Sequence, residues 1–199
     1  MEYKMKLFDK WDTNIEVKDP GLKNYINLRP LLVPRTGGRI VKTRFHNAQI
    51  NVVERLINRL MVVGHKGKKH KNSSGRNTGK AFMIYKLVRL AFEKIEEKTK
   101  KNPIEVLVKA LENASPREEI TTIEYGGARY PKAVDCSPQR RIDLVLKNLA
   151  QGVYAKCFNK KVSAVNALVN EIMDAYNMNS NSNAISKKFE LERQADSSR

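Results

Sequence analysis

The chain has 199 residues, with 38 Lys and Arg against 21 Asp and Glu, a formal net charge of +17, and a 41% hydrophobic and 7% aromatic share. That length holds one globular domain with extensions or two small ones, and the apolar share suffices for a buried core, which excludes wholesale disorder. Such a charge repels itself unless a polyanion offsets it, so nucleic acid is the expected partner and an anionic membrane surface the second candidate.

No apolar run approaches the roughly 18 residues of a membrane span, and Met1 to Phe8 lacks the apolar stretch of a secretory leader. Cys136 and Cys157 are the two cysteines and form no CxxC pair, so neither a disulfide scaffold nor a paired zinc site is expected, and a reducing, intracellular compartment follows. The charge is uneven. Residues 20–92 carry sixteen basic side chains and the single acid Glu54, whereas residues 93–199 carry eighteen against fifteen.

Residues 1–47 show no helical or alternating period and are punctuated by Pro20, Pro30, Pro34 and Gly37-Gly38. They read as an extended arm preceding a helical nucleic-acid-binding domain over 48–199. Its basic tip places Arg35, Arg39, Lys42 and Arg44 around a glycine pair that lets the backbone approach a phosphate chain. Ile50, Val53, Ile57, Leu60 and Met61 then predict a helix over about 48–63, with Arg55 and Arg59 off the apolar stripe and Gly64 as its stop. The loop from Gly64 to Lys80 has no apolar residue, so it has no core of its own and awaits a phosphate ligand for Lys66, Lys68, Lys69, Lys71, Arg76 and Lys80.

A long helix is expected over about 78–100, on Ala81, Ile84, Val88, Ala91, Phe92 and Ile95. Asn102-Pro103 reads as a cap and first turn for a helix over 103–113. Between Pro116 and Ser137 the period changes to two, and Gly126-Gly127 predicts a hairpin at about 118–135 that sets Glu124 opposite Arg129 and Ile123 opposite Tyr130. A lone hairpin with Pro131 in one strand reads as a projecting arm. Tyr130 fits both strand packing and base stacking; Tyr125 and Arg129 flank the same turn. Ser137-Pro138 opens a helix to about Phe158. Arg140 and Arg141 sit at its positive end, which calls for an outside anion. A further helix spans about 162–176, the Asn-rich stretch 177–183 reads as a flexible joint, and Asn183 caps a last helix ending near Ser198. The fold class is therefore mainly α: a bundle of about six helices with a protruding hairpin and a basic N-terminal arm.

No active site assembles. Ser74 to Ala81 nearly fits the GxxxxGK[ST] phosphate loop, but Ser74 replaces the first glycine, Ala81 replaces the magnesium-binding hydroxyl, and no strand precedes it. His46, His65 and His70 match no structural zinc spacing, and Glu96-Glu97 and Glu118-Glu119 are adjacent rather than opposed across a cleft. Cys136 and Cys157 read as packing residues. No cofactor or metal is expected.

Several segments together resemble a known family: Val53 to Met61, Ser74 to Lys80, Ala110 to Glu119, Tyr125-Gly126-Gly127-Ala128-Arg129-Tyr130-Pro131, and Ser137-Pro138-Gln139-Arg140-Arg141. They are similar to the universal ribosomal protein seven of the small subunit, protein five in eukaryotic numbering, over about residues 6–199. Lys10-Trp11-Asp12 and Tyr25-Ile26-Asn27-Leu28 resemble its archaeal and eukaryotic branch. The resemblance implies a cytoplasmic ribosomal component without enzymatic activity. It also implies a primary binder of small-subunit ribosomal RNA that nucleates the 3′ major domain, or head. Neighbouring head and platform proteins become expected partners, as do messenger RNA and exit-site tRNA at the hairpin. Its RNA-binding candidates here are the cations named above with Arg117, Arg140, Arg141, Tyr125, Arg129 and Tyr130. A freestanding nucleic-acid-binding regulator is the competing class.

Overall fold

The structure is a computed structural model that describes residues 5–39, 41–64 and 77–199. In chain order the elements are α1 (Pro20–Lys23), α2 (His46–Gln49), α3 (Val52–Met61), α4 (Ala81–Thr99), α5 (Pro103–Ala114), β1 (Glu118–Tyr125), β2 (Ala128–Asp135), α6 (Pro138–Cys157), α7 (Ala164–Tyr176) and α8 (Asn183–Asp196). Among the described residues there are thus eight helices, six of them ten residues or longer, and one antiparallel hairpin, the mainly helical architecture expected.

Local chemistry sets most of the boundaries. Asn102 Oδ1 accepts from Ile104 N at 3.0 Å while Pro103 occupies the first turn of α5. Ser163 Oγ accepts from Asn166 N at 3.3 Å to open α7. The apolar stripes of α4 to α7 meet in one core, where α7 packs against α4, α5 and α6. Phe92, Ile95, Leu107, Leu111, Ile142, Leu146, Leu149 and Leu168 lose all or nearly all contact with water there.

Three segments depart from the sequence reading. The helix expected over 48–63 is broken at Ile50-Asn51. Asn51 caps α3 by accepting from Val53 N at 2.9 Å, while its Nδ2 donates to Arg29 O at 3.1 Å and Val52 N donates to Asn27 O at 3.0 Å. Polar contacts with the preceding chain therefore stop α2. The same contacts turn Arg55, off the expected stripe, into the body, where it is buried with Val52, Val53 and Leu56.

The second departure lies within residues 1–47. Leu7, Phe8, Trp11, Val17, Leu22 and Ile26 are all buried in the core cluster. Trp11 stacks edge-on against Phe8 and Phe92 with ring centroids 5.7 and 5.8 Å apart, and its Nε1 donates to Glu96 Oε2 at 2.9 Å. The segment has no period because it is irregular chain laid over helices, each apolar residue answering a different neighbour. The exposed basic stretch is the shorter one over the described residues 35–39 and 41–45.

The third departure is the Asn-rich joint, which is a hydrogen-bonded turn. Asn179 N donates to Asp174 O at 2.8 Å, Ser182 N donates to Asn179 O at 3.1 Å, and Ser182 rather than Asn183 caps α8 by accepting from Ala184 N at 3.2 Å. The fully buried Glu171 fixes this corner. Its Oε1 accepts from Ser182 Oγ at 3.0 Å and Asn183 N at 2.6 Å, and Lys156 Nζ lies 2.6 Å from Oε2. Burial alone would lower the Lys156 pKa, but its hydrogen bonds and charge contacts with Glu171 and Asp174 outweigh that and raise it.

Candidate nucleic-acid interface

Three exposed cations of the first half, Arg35, Arg39 and Arg59, line a continuous run of hollows. Arg35, Thr36, Gly37 and Arg39 border one. The next, a cleft of about 510 Å³, shares Arg35, Thr36 and Gly37 with it and is walled by α3 and the start of α4. A third hollow shares Asn47, Ile50 and Asn58 with that cleft and reaches Arg59 and Asp143, and a fourth continues from Arg59 to Arg140 and Lys147 on α6. The run thus crosses from the arm over α3 to α6, a path suited to a polyanionic strand.

Arg35, Arg39, Lys42 and Arg44 are exposed, and none of the four makes an ion pair among the described residues. Lys80 is exposed immediately before α4, and Arg117 is exposed before β1. Arg59 is 43% exposed with Asp143 at 3.7 Å, a loose pairing that a phosphate can outcompete. Lys66, Lys68, Lys69, Lys71 and Arg76, with His65 and His70, lie outside the described residues.

Two candidates are committed inside the protein. Arg55 is 5% exposed, with Nη1 donating to Tyr25 O at 3.2 Å and Nη2 to Asp143 Oδ1 at 3.2 Å. Arg141 donates from Nε to Pro116 O at 3.1 Å and from Nη2 to Asp19 Oδ2 at 2.8 Å. Burial pushes the Asp19 carboxyl up, but the Arg141 and Gly21 hydrogen bonds and the Arg141 charge hold it below the ordinary carboxylate value. Arg140, more exposed, is bidentate to Glu119, its Nη2 lying 2.6 Å from Oε2. The anion expected at the start of α6 is thus supplied by Asp19 and Glu119. The sequence missed this because both acids lie far along the chain from the helix they serve.

The hairpin has the expected register, Glu124 opposite Arg129 and Ile123 opposite Tyr130. Gly126 and Gly127 turn it at φ of 58° and 81°, values that glycine adopts without steric cost. The base packs on α8 and Arg199 pairs with Glu118, whereas every residue from 121 to 132 is exposed. At about 3.4 Å per residue, the free portion reaches about 17 Å past its base. Tyr125 is 81% and Tyr130 58% exposed, so neither ring is spent on the core. Arg129 Nε lies 3.7 Å from Glu124, both side chains being solvent-facing.

Two aromatic residues absent from the sequence reading join the basic surface. Phe45 is 78% exposed at a left-handed φ of 56° with Arg44 over its ring, and Phe82 is 66% exposed with Lys86 Nζ 4.6 Å from its centroid. Aromatics interleaved with cations, as in Arg44-Phe45 and Lys80-Ala81-Phe82, were the available signal. Cys136 is buried, and burial, reinforced by the nearby Glu119, pushes its thiol up to about 11, the property of a packing residue.

The family model for ribosomal protein S7p/S5e matches residues 23–199. The chain belongs to that family. It is 54% identical over 197 residues to the small ribosomal subunit protein uS7 of the archaeon Nanoarchaeum equitans, covering 98% of this chain and all of that one. Identity to the uS7 of Thermoplasma volcanium is 46% over 194 residues, covering 97% of this chain and all of that relative. Membership of S7p/S5e makes this a ribosomal protein with a structural, non-enzymatic role. No helix among the described residues is long and apolar enough to cross a membrane.

Proposed function

We propose that the protein is a structural component of the small ribosomal subunit and a primary ribosomal RNA binder that nucleates the 3′ major domain. It would work on the cytoplasmic ribosome, beside neighbouring head and platform proteins. The observation that carries this reading is the run of hollows from Arg35 and Arg39 across α3 to Arg140 and Lys147, in which Arg35 and Arg39 have no carboxylate partner among the described residues and Arg59 holds one loosely, while Arg55 and Arg140 are paired. A polyanion laid along it releases counterions in proportion to the phosphates neutralised. The S7p/S5e match and the two small-subunit relatives support the choice of ribosomal RNA over other polyanions.

The hairpin adds a second element. A free arm of about 17 Å with Tyr125, Arg129 and Tyr130 exposed near its end suits unpaired RNA, and we assign it to the exit-site tRNA and messenger path.

The test is reconstitution. The protein mixed with isolated 3′ major domain RNA should bind with a salt slope of about −5 to −9 on logarithmic axes, and in a cell extract it should sediment with the small-subunit peak. A chain that remains at the top of the gradient and binds duplex DNA equally well is a freestanding regulator instead. Deleting residues 123–130 and closing the turn should leave RNA-domain binding nearly intact while small subunits handle exit-site tRNA or messenger less faithfully. Failure of the head to form would make the hairpin a strut.

A further inference from the structure

Glu54 is the single acid among the sixteen cations of residues 20–92, and it is buried, at 4% exposure. One oxygen is fully used: Oε1 accepts from Thr36 N and from Thr36 Oγ1, each at 2.8 Å. The other, Oε2, is buried and accepts no hydrogen bond among the described residues. A buried polar atom without a partner is costly and calls for a donor; Gln139 Oε1 and Glu171 Oε2 are the other two such atoms among the described residues, and the latter has the Lys156 ammonium 2.6 Å away.

That donor has a place to sit once a turn of the side chain brings Oε2, which is closed to water, round to the neighbouring cleft. Glu54 lines the cleft of about 510 Å³ together with Pro34, Ile57, Met61 and the half-buried ring of Tyr85, a volume within the range of small-ligand pockets. The walls are mainly apolar, with Tyr85 supplying an aromatic face and Thr36, His46, Asn47 and Asn58 the polar ones, which suits a flat base. The adjoining hollow offers Arg35 and Arg39 to the phosphate. Between the two, Gly37 and Gly38 lie at φ of 64° and 76°, and a Cβ built on Gly37 meets nothing within 4 Å, so the backbone there is open to close approach.

From this arrangement we infer that the cleft receives one unstacked RNA base, a guanine, whose N1–H and N2–H edge donates to Glu54 Oε2 while the flanking phosphates meet Arg35 and Arg39. A carboxylate is acceptor-only, so it favours the base whose pairing edge has two adjacent donors. Uracil brings one imino N–H between two carbonyls, and the amino groups of adenine and cytosine each adjoin a ring acceptor that would face the carboxylate. The base must come from a single-stranded loop or bulge, since a duplex hides that edge. This inference rests on the RNA-binding reading above and adds the identity of one recognised nucleotide.

The experiment uses the full chain and fluorescent RNA pentamers UUXUU, with X as U, guanine, inosine or 7-deazaguanine. Guanine should bind about tenfold or more tighter than U, the scale of a charge-assisted hydrogen bond. Inosine, which lacks the N2 amino group, should lose at least about fivefold of that gain, whereas 7-deazaguanine, altered on the opposite edge, should match guanine. Glu54→Gln keeps an oxygen for Thr36 but presents an amide donor to the cleft, and it should erase the guanine preference, read as the ratio of guanine to U affinities within that variant. Should that variant not fold, the four pentamers on the unaltered chain still decide. Equal affinities, or a preference that follows N7 rather than N2, overturn the inference. Binding of 3′ major domain RNA is measured in parallel. Tight binding there with equal pentamer affinities removes the guanine site alone, whereas loss of domain binding removes the ribosomal reading itself.

Discussion

Glu171 and Glu54 are both buried carboxylates, and the protein treats them in opposite ways. Around Glu171, where α6, α7 and α8 meet, Oε1 accepts from Ser182 and Asn183, and Oε2, which accepts no aligned hydrogen bond, is held by the Lys156 ammonium at 2.6 Å. Around Glu54, where the arm crosses α3, one oxygen is engaged and the other is left over. The surrounding charge follows the same division. The second half pairs Arg140 with Glu119, Arg141 with Asp19 and Arg199 with Glu118, while Arg35, Arg39, Lys42 and Arg44 find no carboxylate among the described residues. Internal satisfaction makes a body that folds by its own interactions. Its deficit in the first half makes a surface that needs a ligand.

The largest effect should come from crowding the satisfied node. A Cβ on Gly152 would lie 2.3 Å from Glu171 Oε1, and that carboxylate has no room to swing away because its partners hold it. Gly152→Ala should therefore cost about 2–4 kcal/mol, read as a melting temperature lower by about 5–15 °C. A loss below about 1 kcal/mol would mean that the node is looser than its contacts indicate.

Neutralising the unsatisfied region should do the converse. Replacing Arg35, Arg39, Lys42 and Arg44 together by Gln should reduce the salt slope of RNA binding by about three units, with a melting temperature shifted by no more than about 2 °C. An unchanged slope would make those cations ordinary solvated surface.

Acid should act on the paired half. The Asp19 carboxyl is held below its ordinary value of 3.8, so its pairing stabilises the fold above that value and is lost as pH falls through the lower, folded one. Asp19→Asn should flatten the acid limb of the stability curve below about pH 4 and lower stability at neutral pH, where Arg141 is left buried without its partner. An acid limb identical to that of the unaltered chain would remove Asp19 from the account.

The smallest effect is an expected near-absence of reaction. With its thiol at about 11, Cys136 should resist alkylation at pH 8 in the folded chain and react only after unfolding, a difference that mass spectrometry reads directly.

The sequence by itself determined the elements whose causes lie within a few residues of one another. The apolar stripe of α4, the Asn102-Pro103 start of α5 and the Gly126-Gly127 turn are settled by side chains at fixed short spacing, and so was the concentration of cations in residues 20–92. Only the tertiary structure decided which of those cations are free. Arg55 and Arg141 look like their exposed neighbours until Asp143 and Asp19 arrive from 88 and 122 residues away. The arm's Leu7, Trp11 and Leu22 had no period to reveal them, because irregular chain follows the shape of what it covers. Glu54 is likewise an unremarkable acid on a helix until the fold buries it and Thr36 occupies one of its two oxygens. Burial and pairing between distant residues are properties of the folded arrangement, and no local pattern encodes them.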